Sequence, residues 1–234
     1  MPTKVEWADE TWNTISGCSK ISSGCLNCYA ERMSKRLAGR YGYPTAPHNF
    51  DVTLHPDKLN EPLRWKKPRR VFVCSMGDLF HEDVGVLVLL ELWSVMARCP
   101  QHTFMILTKR PTKMHEFMDM EPMGRRLPNV WLGVTVESPD QLWRVEHLLQ
   151  IPAAVHFVSV EPMLGPLNMG NLLIQAGVDW IICGAETGPG ARPMDLDWAR
   201  DLRDQCVSAA VPFFFKRDSD GNRELDGRMW EQRP

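Results

Sequence analysis

Short apolar runs alternate with longer amphipathic stretches over most of this chain. Residues 71–75 (VFVCS), 103–108 (TFMILT), 130–136 (VWLGVTV), 155–160 (VHFVSV), 180–184 (WIICG) and 212–216 (PFFFK) each read as an apolar strand. Helical periodicity follows most of them, at 84–98, 111–119, 139–150 and 196–210, with a looser segment to 176 after the run at 155–160. Runs with no polar face belong in a parallel sheet that is covered on both sides. Counting a first strand near 11–17 and a short second one at 52–55, the alternation predicts about eight βα units. No glycine-rich dinucleotide fingerprint follows any run, which weakens a doubly wound dinucleotide-binding sheet. The expected fold is α/β: a parallel (β/α) barrel, complete or partial and TIM-barrel-like, in one domain over residues 1–234.

The flanking segments are less regular. Residues 29–41 predict a helix with Met33, Leu37 and Tyr41 on one face, stopped by Gly42 and Pro44. A proline-rich loop fills 44–50, and Asp57 caps a predicted helix over 57–65 that carries Pro62. The polar tail at 217–234 is expected to pack on the outside or rim of the barrel.

Composition narrows the class. The chain is 44% hydrophobic and 24% charged, the balance of a soluble globule. Its net charge of −2 argues against a general nucleic-acid coat, though not against a local cationic pocket. No apolar run approaches the ~18 residues of a membrane span, and the first ten residues lack a signal-peptide pattern. The expected location is cytoplasmic, with no membrane partner. In that reducing compartment, seven cysteines point to metal rather than to disulfides.

Barrel enzymes carry their chemistry where the strands end. After the third run stand Ser75, Asp78 and His81, and after the fourth stand Thr108, Lys109 and Arg110. Glu137, Glu161 and Glu186 then close three consecutive runs at spacings of 24 and 25 residues, one βα unit each. That repetition predicts carboxylates gathered on one rim, against the plainer reading that each caps the next helix. Arg192 and Lys216 complete the set of strand-end cations. They, Lys109 and Arg110 are candidates to pair with a phosphate or carboxylate of a ligand, or only to neutralise the glutamates. The turn around Gly188 and Gly190 lets backbone approach a ligand closely. The basic run at 66–70 precedes a strand, and a solvated face is its simpler reading. Cys74 and Cys183, inside apolar runs, read as core; Cys99 and Cys206, on helices, read as structural. Trp12, Trp65, Trp131 and Trp180 read as packing, and His102 and His156 as satisfied core or edge histidines.

The densest signal is the loop at 17–28. Cys18, Cys25 and Cys28 are spaced C-x6-C-x2-C among serine, glycine and lysine. Thiolates suit iron–sulfur clusters and zinc. Three of them hold three irons of a [4Fe–4S] cluster and leave the fourth iron open. A closed zinc site wants four protein ligands, commonly two close pairs; only Cys25 and Cys28 form such a pair, with His55, His81 or Cys74 as a possible fourth ligand.

A three-cysteine loop after the first strand of a barrel resembles the radical S-adenosylmethionine (SAM) enzymes, although their first gap is three residues where this one is six, and Asn27 stands where they carry an aromatic. Over nearly its full length the chain resembles a phage and bacterial family of unassigned function known for this three-cysteine motif. The matching stretches include 12–13, 17–18, 24–31, 75–80, 107–111, 133–137, 159–162, 184–193, 213–216 and 225–228. The radical SAM resemblance implies a [4Fe–4S] cluster on Cys18, Cys25 and Cys28, with SAM on its open iron and an external electron donor. It implies SAM contacts from Asp78, Gly188, Arg192 or Lys216, and catalytic roles for Glu137, Glu161, Glu186 and Lys109. The substrate expected is a nucleotide, a nucleic acid or another anion.

Two other readings stand beside it. One is a divalent-metal hydrolase or nuclease that uses Asp78, Glu137, Glu161 and Glu186, with the cysteines on a structural zinc. The other is a non-catalytic binding module that a metal stabilises. The substrate, the electron donor and the oligomeric state are not legible in the residues.

Overall fold

The structure is a computed structural model that describes residues 5–120, 126–175 and 177–234. The first four residues of the polar N-terminal stretch, and residue 176 at the end of the looser segment, lie outside it. In chain order the first half contains β1 (Glu10–Trp12), β2 (Ile15–Ser16), α1 (Tyr29–Leu37), β3 (Thr53–Leu54), β4 (Arg70–Val73), α2 (Val86–Ala97), β5 (Thr103–Thr108) and α3 (Pro111–Met118). The second half contains β6 (Val130–Thr135), α4 (Trp143–Leu148), β7 (His156–Val160), α5 (Gly170–Gln175), β8 (Trp180–Cys183), α6 (Leu196–Ser208), β9 (Phe213–Phe215), β10 (Glu224–Leu225) and β11 (Arg228–Met229).

The main sheet has seven strands in the order β1-β4-β5-β6-β7-β8-β9. It is an α/β partial barrel with β1 and β9 at its edges, one strand short of the expected eight. The missing strand is the run at 52–55. Only two of its residues are extended, and they pair antiparallel with β2, Ile15 against Leu54. Pro56 follows at once and has no N–H to give a ladder.

The chain falls into two compact units. The first comprises residues 1–20, 28–132 and 152–154. Within it β1, β4 and β5 run parallel, with Glu10 beside Val71 and Arg70 beside Thr103. Its core includes Trp12, Val71, Val73, Leu92, Trp93, Phe104, Ile106 and Phe117, all buried. The Trp12 and Phe104 rings lie 5.7 Å apart and those of Trp93 and Phe117 5.2 Å. Helix α1 is shorter than expected. It ends at Leu37, since Gly39 takes a left-handed conformation, and Tyr41 therefore points to solvent. Met33 and Leu37 do share a face, packed on Ala30, Tyr43 and Met76. The helix expected over 57–65 is replaced by two 3-10 turns, Pro56–Lys58 and Pro62–Arg64. Pro62 would take one helical hydrogen bond out of the middle of that segment. The basic run at 66–70 lies where β4 begins: Arg69 pairs with Glu10 at 2.5 Å and Arg70 with Asp9 at 2.9 Å.

The second unit comprises residues 21–27, 133–151 and 155–234. Strands β7, β8 and β9 run parallel, with Val158 beside Ile181 and Ile182 beside Phe214. Phe157, Trp180, Ile182, Phe213 and Phe214 are fully buried. The helix expected at 139–150 is split into a 3-10 turn, Pro139–Gln141, followed by α4. Asp195 caps α6 by accepting a hydrogen bond from the Asp197 N–H at 2.9 Å. The tail holds more structure than its polarity suggests. Strands β10 and β11 form a hairpin, and the chain then returns antiparallel to β9, where Phe215 N–H donates to the Trp230 carbonyl at 2.8 Å. Leu225 and Trp230 are buried. A strand edge with nothing beside it invites foreign pairing, and the tail occupies this one. Among the described residues no helix is long and apolar enough to cross a membrane.

Candidate functional site

Cys18, Cys25 and Cys28 stand on the connection from β2 to α1. Cys18 is two residues past β2, Cys25 closes the 3-10 turn Ser23–Cys25, and Cys28 immediately precedes α1. All three are partly exposed, and the other four cysteines are buried. Burial pushes the Cys74 thiol up to about 11 and Cys206 up to about 12, and raises Cys183 and Cys99 as well. Those four are packed, protonated thiols. Cys99 lies just past the end of α2 rather than on it.

In the first unit, the loop leaves β2 through Gly17, whose φ is +86°. A Cβ there would sit 2.1 Å from the Asp51 carbonyl oxygen, so only glycine fits. This turn delivers Cys18 to Arg110, which lies at the end of β5 and is 5% exposed. Each edge of that guanidinium is used. Nε donates to both carboxylate oxygens of Glu82, at 3.1 and 3.0 Å. Nη1 donates to Cys18 Sγ at 3.4 Å and to Asp78 Oδ2 at 3.2 Å. Nη2 donates to the Ser19 carbonyl at 3.2 Å and to Ser19 Oγ at 2.8 Å. Burial works against the charge, but Asp78, Cys18 and Glu82 outweigh it and hold the Arg110 pKa above its ordinary value. Asp78 also accepts from Thr108 Oγ1 at 2.6 Å and from the backbone N–H of Lys109 at 3.1 Å. Ser19 Oγ stands 2.8 Å from His81 Nε2. Among the described residues no carboxylate lies within ion-pair distance of the Lys109 ammonium.

In the second unit, two carboxylates grip the middle of the loop. Glu137 is completely buried, and so is its partner Arg144, on α4. Arg144 Nη1 donates to Glu137 Oε2 at 2.9 Å and to the Thr135 carbonyl at 2.8 Å. Glu137 Oε1 accepts from Ser22 Oγ and from the Gly24 N–H. A Cβ on Gly24 would meet the Glu137 side chain at 2.9 Å, so glycine is what lets the loop approach. Glu186 forms the second grip. It accepts from Arg192 Nε at 2.9 Å, Arg192 Nη2 at 2.5 Å and the Arg192 N–H at 2.8 Å. Asn27 Nδ2 donates to Glu186 at 2.9 Å and to the Gly190 carbonyl at 2.7 Å, while Arg192 Nη2 reaches the Ser23 carbonyl at 2.9 Å. The Arg192 hydrogen bonds hold the Glu186 carboxyl down at about 2 against the opposing effect of burial. Gly188, at φ +93°, turns the chain between Glu186 and Arg192. Glu161 and Lys216 pair with each other at 2.5 Å and stay partly exposed, at 23% and 18%.

A model of a family described as "Protein of unknown function (DUF5131)" matches residues 2–234. The chain belongs to this family. No curated protein matches it. Among solved structures, a spore photoproduct lyase complexed with dinucleoside spore photoproduct is similar, with a TM-score of 0.59 at 10% identity. The alignment covers 89% of this chain and 75% of that one. At this identity the likeness concerns the fold alone, and it agrees with the expected (β/α) barrel, complete or partial.

For this DUF5131 chain, the fit of a metal or cluster turns on the donors. Among the described residues no three His, Cys, Asp or Glu side chains already converge as a metal site. The hydrogen bonds that two loop thiols would give up to a metal are long: Cys18 Sγ donates to the Ser19 carbonyl at 3.4 Å, and Cys25 Sγ lies 3.7 Å from Ser22 Oγ. Contacts of this strength yield readily to a metal–thiolate bond. The donor set of three partly exposed thiols on one short loop therefore fits a soft metal centre. The acids are held differently: Asp78, Glu137, Glu161 and Glu186 each sit in an ion pair with Arg110, Arg144, Lys216 and Arg192 respectively. Sequence reasoning missed Arg144 and the tie made by Asn27. Arg144 follows Glu137 by only seven residues and carries the opposite charge, which is the available signal. Asn27 stood out only as a departure from the aromatic of the radical SAM motif, and nothing local predicts that its amide spans to Glu186.

Proposed function

We propose that this protein is a radical SAM-like iron–sulfur enzyme, in which Cys18, Cys25 and Cys28 hold a [4Fe–4S] cluster. The observation that carries the reading is the sorting of the cysteines. The three on the loop after the first strand of a partial barrel are partly exposed, and the four elsewhere are buried. When bound, such a cluster supplies an open iron for SAM and one-electron reduction for its cleavage. The chain's own residues shape the surround. Arg110 donates to Cys18, and Glu137 and Glu186 fix the turn that bears Cys25. Lys109 and Lys216 are the strand-end cations that would meet a substrate, Lys216 by exchanging its partly exposed Glu161 partner. Their charges suit a nucleotide, a nucleic acid or another anion. A lyase of the same fold holds a dinucleoside, so oligonucleotides are the first class to test.

The hydrolase reading is less well supported, because its four acids are neutralised by buried or partly buried cations rather than left open for divalent metal. The test is an anaerobic iron and sulfide assay with absorption and EPR spectra, with and without SAM. We expect about four irons per chain and a reduced signal that SAM perturbs, both lost in Cys18→Ala, Cys25→Ala and Cys28→Ala. One zinc per chain and no iron after anaerobic reconstitution would replace this reading with the zinc one.

A further inference from the structure

We infer that Arg110 is a positioning residue that sets the reduction potential at Cys18, by donating an N–H···S hydrogen bond to that sulfur from a buried, fully committed guanidinium. The inference rests on the proposed cluster, and concerns what this chain does to it. Three observations support it. The donor is fixed: Nε and Nη2 are held by Glu82 and by both oxygens of Ser19, so the remaining edge, Nη1, can only face Cys18 Sγ and Asp78. The donor is dry, with its side chain 4% exposed, so its charge is poorly screened by water. Cys18 itself is fixed, because Gly17 before it admits no other residue and the Cys18 N–H is bound to the Phe50 carbonyl at 3.2 Å.

Hydrogen bonds to cluster sulfurs and nearby charge are the protein's main means of tuning such a potential. One-electron reduction adds negative charge without moving a proton, and part of that charge falls on the ligand sulfurs. A positive donor at Cys18 stabilises the reduced form and raises the potential. Asp78, which shares the Nη1 edge with Cys18, and Glu82, on the Nε edge, offset it, so the potential depends on a balance among three side chains. This assigns Asp78 a role that does not require contact with SAM.

The balance gives a signature of sign. Arg110→Gln removes the positive donor and should move the potential negative. Arg110→Lys keeps the charge but loses the fork, and should move it negative by less. Asp78→Asn and Glu82→Gln leave the Arg110 charge less neutralised, and should move it positive, Asp78→Asn by more because Glu82 is largely exposed. The measurement is a mediated anaerobic titration with dithionite as the one-electron donor, followed by EPR, on variants whose iron content matches wild type. Glu82→Gln changes an exposed side chain, so it should load even if Arg110→Gln does not fold. General loosening of the site would shift every variant the same way, whereas opposite signs for the arginine and acid variants support the inference. Potentials equal to wild type in the variants that load, Glu82→Gln among them, or shifts of one sign throughout, would overturn it. Failure of the wild type itself to take up iron would instead overturn the cluster reading beneath it.

Discussion

Removing the Glu137 carboxylate should cost this protein far more than removing an ordinary strand-end acid. Its partner Arg144 is 1% exposed and, among the described residues, pairs with no other carboxylate. Glu137→Ala would leave a guanidinium buried and uncompensated, a loss of roughly 3–5 kcal/mol. Glu161→Ala removes a partner from Lys216, which can reach water, and should cost about 1 kcal/mol or less. Urea denaturation of the two variants beside wild type measures the difference; equal losses would mean that the Glu137–Arg144 pair does not act as buried. The sequence presented these two glutamates as equivalent, since each closes an apolar run. Their surroundings separate them, and the arginine that does so lies on the next helix.

At the scale of an element, the loop turn Ser23–Cys25 is held through Asn27 and Arg192, which both depend on ionised Glu186. The carboxyl is held at about 2 in the folded chain, below its ordinary value near 4.5. A carboxylate whose folded pKa is depressed contributes stability above its unfolded pKa, and that contribution is lost as pH falls from about 4.5 through about 2. The depression corresponds to roughly 2–3 kcal/mol at neutral pH, allowing for the partial exposure of Arg192. Glu186→Gln should therefore be less stable than wild type at pH 7, and the gap should close as the pH is lowered toward 2. Chemical denaturation at a series of pH values checks this; a gap that stays constant with pH would remove Glu186 as the titrating group. The strands and long helices were legible as elements because continuous apolar runs and 3.6-residue periodicity are local properties. The short segments were not. Pro56 and Pro62 break what the pattern joined, and β3 found its partner in β2 rather than in the main sheet.

At the scale of the whole molecule, the seven cysteines divide into three that solvent can reach and four that it cannot. In metal-free protein under reducing conditions, iodoacetamide should label Cys18, Cys25 and Cys28 quickly, and the other four only after denaturation. Mass spectrometry of the labelled peptides measures it, and anaerobic loading with iron and sulfide should protect the same three. Rapid labelling of Cys74 or Cys183 in native protein would contradict the packing described here. By itself the sequence determined the class of fold and singled out the loop cysteines, because strand alternation and cysteine spacing are written in neighbouring residues. Which charges cancel was decided by tertiary structure alone. Arg110 reaches Cys18 across 92 positions of chain, and Asn27 reaches Glu186 across 159. A charge's partner is set by distance in space, and no local pattern encodes distances between residues so far apart in the chain.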